Sequence, residues 1–124
     1  MTYKPNNCLI WAEIPVSDLT AATTFYAGVT GMDLQLNTDM GPEPIAIFTY
    51  QEPGVSLHLF QGTPAPRGIG NRVHLNSEGK LEDTMGRVEK AGGKVMSPAI
   101  ELPDGRFFYA EDPDGNSIGF FEPK

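Results

Sequence analysis

The sequence has a single cysteine, Cys8, so no disulfide can form within the chain and a reducing compartment is permitted. Basic residues are also scarce. Nine Lys and Arg stand against sixteen Asp and Glu, a formal net charge of −7. Phosphate binding draws on clustered Lys and Arg, so no nucleic-acid partner is expected. No apolar run approaches the roughly 18 residues that a membrane span needs, and the opening MTYKPNNC has no apolar signal core. The expectation is a cytoplasmic protein without a membrane partner. No phosphate loop, nucleophile elbow or CxxC motif occurs, and Cys8 has no activating pattern beside it. Histidine is limited to His58 and His74, so imidazole chemistry has two candidates.

What remains is an ordinary globular composition. A chain of 124 residues with 40% apolar content can bury a core as one domain without staples. Fourteen Gly and eleven Pro imply short strands joined by many turns. Cys8 to Val16 reads as a strand, with Ala12, Ile14 and Val16 on one face and Trp11, Glu13 and Pro15 on the other. Ser17 or Asp18 caps a helix to about residue 30, striped by Leu19, Ala22, Phe25, Tyr26 and Val29 and ended by Gly31. Strands are predicted over Met32 to Leu36, Ile45 to Gln51 and Val55 to Gln61, with a polar loop around Met40 from Asn37 to Pro44. The stretch 62–71, with Pro64, Pro66, Gly68 and Gly70, reads as a linker.

After the linker the order recurs. Arg72 to Asn76 is a strand, and 80–91 a helix with Leu81, Met85 and Val88 in its stripe, ended by Gly92-Gly93. A strand begins at Lys94, Pro103-Asp104-Gly105 turns, and Arg106 to Glu111 is a strand. Asp112-Pro113-Asp114-Gly115-Asn116 is then a dense turn feeding a final alternating strand. The prediction is one α+β domain of two βαβββ modules, about 8–61 and 72–122, offset by about 61 residues. One helix covers one face of each sheet, which leaves two concave faces to form a cavity.

The combination of WAEIPVSDL, Phe25-Tyr26 and DPDGN resembles the vicinal-oxygen-chelate superfamily of glyoxalase I, bleomycin-resistance proteins and extradiol dioxygenases. The WxEIPVxD opening is similar to that of a subgroup without a settled reaction. The resemblance implies a glyoxalase/bleomycin-resistance-type cavity, a small-molecule ligand and a homodimer. It also implies four metal-ligand positions, which fall here at Trp11, His58, Arg72 and Gly119. Only His58 can ligate, since Trp offers no acceptor, Arg stays protonated and Gly has no side chain. No metal is therefore favoured, and a metal-free binding protein is the first expectation.

The alternative is a metal-dependent isomerase, lyase or dioxygenase. Glu13 and His74 are repeat partners, two residues past Trp11 and Arg72, and with His58 they make two histidines and a carboxylate. That composition suits Zn, Ni, Fe or Mn. The same three can instead be catalytic as acid and base without metal, or be separate polar groups lining a wet cavity. Alternation adds Ser56, Phe60, Asn76, Ser117 and Phe121 to the cavity candidates. Trp11 is expected to stack on a partly aromatic or cationic ligand, with Glu13 as its charged anchor. If Arg72 pairs with Glu13, an anionic ligand clamped by Arg72 is expected instead.

Overall fold

The computed structural model describes residues 2–39 and 41–124. Met40, in the expected polar loop, lies outside them. The first half contains β1 (Trp11–Val16), α1 (Leu19–Thr30), β2 (Leu34–Asn37), β3 (Ile45–Phe48) and β4 (Ser56–Gln61). The second contains β5 (Val73–Asn76), α2 (Leu81–Lys90), β6 (Lys94–Val95), β7 (Ile100–Leu102), β8 (Gly105–Glu111) and β9 (Ser117–Pro123). The fold is α+β with two sheets and two helices, as predicted.

Each half makes its own sheet, ordered β1-β4-β3-β2 and β5-β9-β8-β6, with β7 added against β8. The first strand of each half runs parallel to the last one, β1 beside β4 and β5 beside β9. A parallel neighbour cannot be reached by a tight hairpin, so the intervening helix makes the crossover. Three strand predictions need correction, the first being that β3 ends at Phe48, short of the expected Gln51. β1 starts at Trp11, because Trp11 pairs with Ser56 and β4 begins there, so Cys8 to Ile10 lie beyond the ladder. Ile100–Leu102 was not predicted as a strand; three residues are too few to show a period, and its pairing to Phe107, Arg106 and Gly105 is set by β8.

The helices follow from local chemistry. Asp18 is extended, and its carboxylate accepts from the Ala21 N–H at 3.0 Å, satisfying an otherwise unpaired first-turn donor. Gly31 ends α1 at φ 81°, a left-handed conformation that a Cβ disfavours. Leu19, Ala22, Phe25, Tyr26 and Val29 are all buried, as their spacing predicts. In α2 the first turn carries Glu82 and Asp83 and the last Arg87 and Lys90, each favourable to the helix dipole. Its entry is capped from the sheet: the Leu81 N–H donates to Glu122 Oε1 of β9 at 2.6 Å.

The helices lie on the inner faces of their own sheets and also touch each other. The buried side chains of both halves form one continuous cluster, with Phe48 and Leu59 from one sheet and Phe108, Ile118 and Phe120 from the other. Full burial of such a side chain is worth about 1.5–3 kcal/mol, so this shared core is the main bond between the halves.

A polar bolt supplements it. Asp112 is 1% exposed and accepts from the Tyr26 hydroxyl at 2.7 Å, the Asp114 and Asn116 N–H groups at 2.9 Å, and the Asn116 amide at 2.9 Å. The same turn reaches the first half twice more. Asn116 donates to the Pro15 carbonyl at 2.8 Å, and Ser17 donates through its N–H to Asp114 at 3.0 Å. Burial, then the neighbouring Asp112 carboxylate, push the Tyr26 phenol well above its ordinary range. No helix among the described residues is long and apolar enough to cross a membrane.

Candidate ligand site

Because α1 and α2 take one face of each sheet, the opposite faces are left for ligands. Alternation along β1, β3 and β4 brings Trp11, Glu13, Ile45, Ile47, Ser56 and His58 around a hollow of about 480 Å³. Ile10, Tyr50, Gly54 and Leu57 complete its wall. The size suits a small organic ligand. Trp11 is 60% exposed, so its ring is available for stacking.

One polar pair stands in this largely apolar wall. Glu13 and His58 are direct partners across β1 and β4, and His58 Nε2 lies 2.9 Å from Glu13 Oε1. A carboxylate only accepts, so His58 Nε2 carries the donated hydrogen, and the second Glu13 oxygen is left to accept from a ligand. The Ser56 hydroxyl is already spent on the Phe48 carbonyl at 2.5 Å, which leaves it to shape the hollow.

The second sheet carries a different face. His74, Leu102, Phe107, Tyr109 and Phe121 line a separate hollow of about 450 Å³. His74, Phe107 and Tyr109 meet edge to face with centroids 5.2–5.8 Å apart. Arg72 stands over the Tyr109 ring, its Cζ 4.2 Å from the centroid. His74 faces Gly119 across β5 and β9, and its ring lies on that glycine. A Cβ at position 119 would run into Nδ1 and Cε1 of His74. Burial, then the Arg72 guanidinium, pull the His74 imidazole below its usual 6.5.

The expected site residues are thus divided. Glu13 and His58 come together beside Trp11 and Ser56, whereas His74 and Phe121 belong to the other hollow. An Arg72–Glu13 ion pair is not formed among the described residues; each has another partner, Tyr109 and His58. Phe60 pairs beside Pro15 and Ile45, and Asn76 beside Phe121; neither lines either hollow. Ser117 lies in a smaller hollow of about 220 Å³ where the halves adjoin, with Glu13, Val73 and Asn116. Sequence reasoning missed Phe107 and Tyr109, although alternation against the buried Phe108 and Ala110 marks them as facing outward. Ile45 and Ile47 were legible in the same way, opposite Ala46 and Phe48.

This arrangement does not fit the divalent metal that the resemblance implies. Within one chain Glu13 and His58 supply two donors, and Trp11, Arg72 and Gly119 supply none. Even an open zinc site keeps three protein ligands. Among the described residues no three His, Cys, Asp or Glu side chains are grouped to hold an ion.

Comparison with known proteins bears on the fold and the family. The chain is 33% identical over 118 residues to the uncharacterized protein YwbC of Bacillus subtilis (strain 168), covering 88% of this chain and 92% of that one. A glyoxalase/bleomycin resistance protein from Streptomyces sp. CB03234 superposes with a TM-score of 0.67 at 27% identity, over 90% of this chain and 97% of that one. Another, from Albidiferax ferrireducens T118, reaches a TM-score of 0.72 at 18% identity, over 95% and 100%. The fosfomycin resistance protein FosX from Listeria monocytogenes reaches 0.69 at 15%, over 94% and 91%. At the last two identities the likeness is of fold alone. A family model described as the Glyoxalase/Bleomycin resistance protein/Dioxygenase superfamily matches residues 9–120, and the chain belongs to that family.

Proposed function

We propose that this chain is a small-molecule-binding protein of the glyoxalase/bleomycin-resistance type, and that its ligand occupies the hollow of the first sheet without a metal. The observation that carries this reading is the Glu13–His58 pair, set in an apolar wall beside an exposed Trp11. A polar pair in an apolar hollow fixes the orientation of a ligand, while stacking on Trp11 supplies contact area. The free carboxylate oxygen favours a partly aromatic cation, since a cation over a Trp face gains about 0.5–2 kcal/mol.

Trp11 is the sole tryptophan, so its fluorescence reports this hollow alone. Titration with benzyltrimethylammonium should quench it saturably, with or without EDTA, and Glu13→Gln should weaken binding several-fold. Absence of saturable quenching by that cation, by benzyl alcohol and by benzoate would overturn the reading.

A second reading is metal-dependent isomerase, lyase or dioxygenase chemistry through Glu13, His58 and His74. It is favoured by the pair already standing at 2.9 Å, two thirds of the required set. It requires a homodimer in which a second copy brings its own His74 to that pair. Elemental analysis with sedimentation decides it: one metal per chain in a dimer, lost in His74→Ala, would replace the first reading.

A further inference from the structure

The stretch that joins the two halves is fastened at one place. Residues 65–71 are all exposed, so little apolar burial holds them. Gly62 is anchored by its N–H to the Val16 carbonyl, and Arg72 rests on the Tyr109 ring. Between those two, among the described residues, the hydrogen bonds to the body of the fold come from Arg67 and Gly68. Arg67 donates to Glu111 Oε1 at 2.8 Å and to the Pro113 carbonyl at 3.3 Å. The Gly68 N–H donates to the Gly115 carbonyl at 3.3 Å. All three acceptors lie in or beside the DPDGN turn.

Both sides of this contact are shaped for it. The Glu111 side chain is 6% exposed and that of Arg67 56%, so a covered carboxylate is neutralised by a cation reaching in from solvent. A buried charge stripped of its partner is costly, which holds Arg67 in place while the cover is down. The cover is the joining stretch itself, since a Cβ on Gly68 would stand 3.5 Å from Glu111 Oε2. When it lifts, water reaches the carboxylate and offsets much of the lost pairing. Gly115 is the seat: a Cβ there would come within 3.0–3.1 Å of Arg67 Cα, Cβ and Cγ. On the other side of the contact Gly70 has φ 99°, a backbone state that glycine leaves and enters at low steric cost. Pro64 and Pro66 fix φ ahead of Arg67, which favours movement of the segment as a unit.

We propose that residues 63–71 are a hinged strap that opens and closes over the seam between the halves, latched by Arg67 on Glu111. Ala65, Ile69, Gly70 and Asn71 make one side of the hollow of about 220 Å³ at that seam, where Glu13 of β1 and Ser117 of β9 also stand. Closed, the strap shields those two side chains from the seam side. Open, it admits water and small solutes to them. Glu13 lines the first hollow as well, so the latch sets how far its carboxylate is sealed from behind the ligand site. The strap itself rests on the fold alone and does not depend on the function proposed above.

The latch residue is also a trypsin site, which makes opening measurable. A guanidinium held on Glu111 cannot enter the protease, so cutting of the Arg67–Gly68 bond reports the open strap. Cutting of Arg87–Val88, inside α2, reports unfolding of the whole chain. Initial rates would be taken on the full chain at low trypsin, each relative to a short peptide of the same local sequence. Arg67–Gly68 should be cut first. Glu111→Gln should speed that cut by at least about tenfold, and Arg67→Lys, which keeps the charge but loses the fork, by less. The ratio to Arg87–Val88 removes any general loss of stability in the variants. Carbodiimide labelling gives a second readout: Arg67→Gln should raise labelling of Glu111 and leave that of Asp112, 1% exposed, unchanged.

Cutting at Arg67–Gly68 no sooner than at Arg87–Val88 would overturn the proposal, as would a Glu111→Gln effect equal at both bonds. Unchanged labelling of Glu111 in Arg67→Gln would also overturn it, for the stretch would then stay down without its latch.

Discussion

The two halves of the molecule carry the same rung and put different chemistry on it. Glu13 faces His58 across β1 and β4; 61 positions later, 13 becoming 74 and 58 becoming 119, His74 faces Gly119 across β5 and β9. In the first half a carboxylate holds an imidazole upright at the wall of an open hollow. In the second the imidazole has no partner side chain opposite and lies on the glycine, amid aromatic rings. Duplicated backbone geometry therefore fixes where side chains stand, while single residues at one rung decide whether the face is polar or aromatic. Function on this fold is set by those residues.

The largest expected effect comes from unfastening the halves. Asp112→Ala removes an acceptor that serves four donors, among them the Tyr26 hydroxyl of the other half. Hydrogen bonds to charged groups are worth about 1.5–3 kcal/mol each, and the abandoned Tyr26 hydroxyl is buried while the other three donors are partly so, so a loss of about 3 kcal/mol or more is expected. Urea unfolding measures it. A loss under about 1 kcal/mol would mean that the shared apolar core alone joins the halves.

A smaller effect should follow from making the second rung resemble the first. Gly119→Ala places a methyl where the His74 ring lies, so ring or strand must shift, at about 1–3 kcal/mol for overpacking. The double variant with His74→Ala removes the obstacle and should recover most of that loss. Additive losses in the double-mutant cycle would show that the two residues do not share this space.

Much of the frame was legible in the chain. Asp18 and Gly31 announce the ends of α1, the stripe from Leu19 to Val29 gives its buried face, and the recurrence of strand and helix gives two sheets. DPDGN was legible as a turn, but its work as a bolt was not, since Tyr26, Pro15 and Ser17 lie roughly a hundred residues away in sequence. The pairing of Glu13 with His58 follows from register, which alternation reads. That His74 belongs to another hollow depends on how whole sheets are placed, and no local pattern records that.

The smallest effect expected is a pH dependence carried by His74. Burial and the adjacent Arg72 guanidinium lower its folded-state pKa below the 6.5 of the unfolded chain, while its other neighbours, Phe107, Tyr109, Leu102 and Phe121, bring no opposing carboxylate. Well above pH 6.5 the imidazole is neutral in both states and contributes no difference. As pH falls through the window below that value, the unfolded chain takes up the proton first, and stability is lost. Below the folded-state pKa the loss is complete and stays constant. His74→Gln removes this contribution, so the stability of the natural chain relative to the variant should decline between pH 7.5 and pH 5. Arg72→Gln, which removes the second cause and leaves burial, should make that decline shallower. Parallel stability profiles for the natural chain and His74→Gln would show that the imidazole is as freely solvated in the fold as out of it, and would remove it from the aromatic wall.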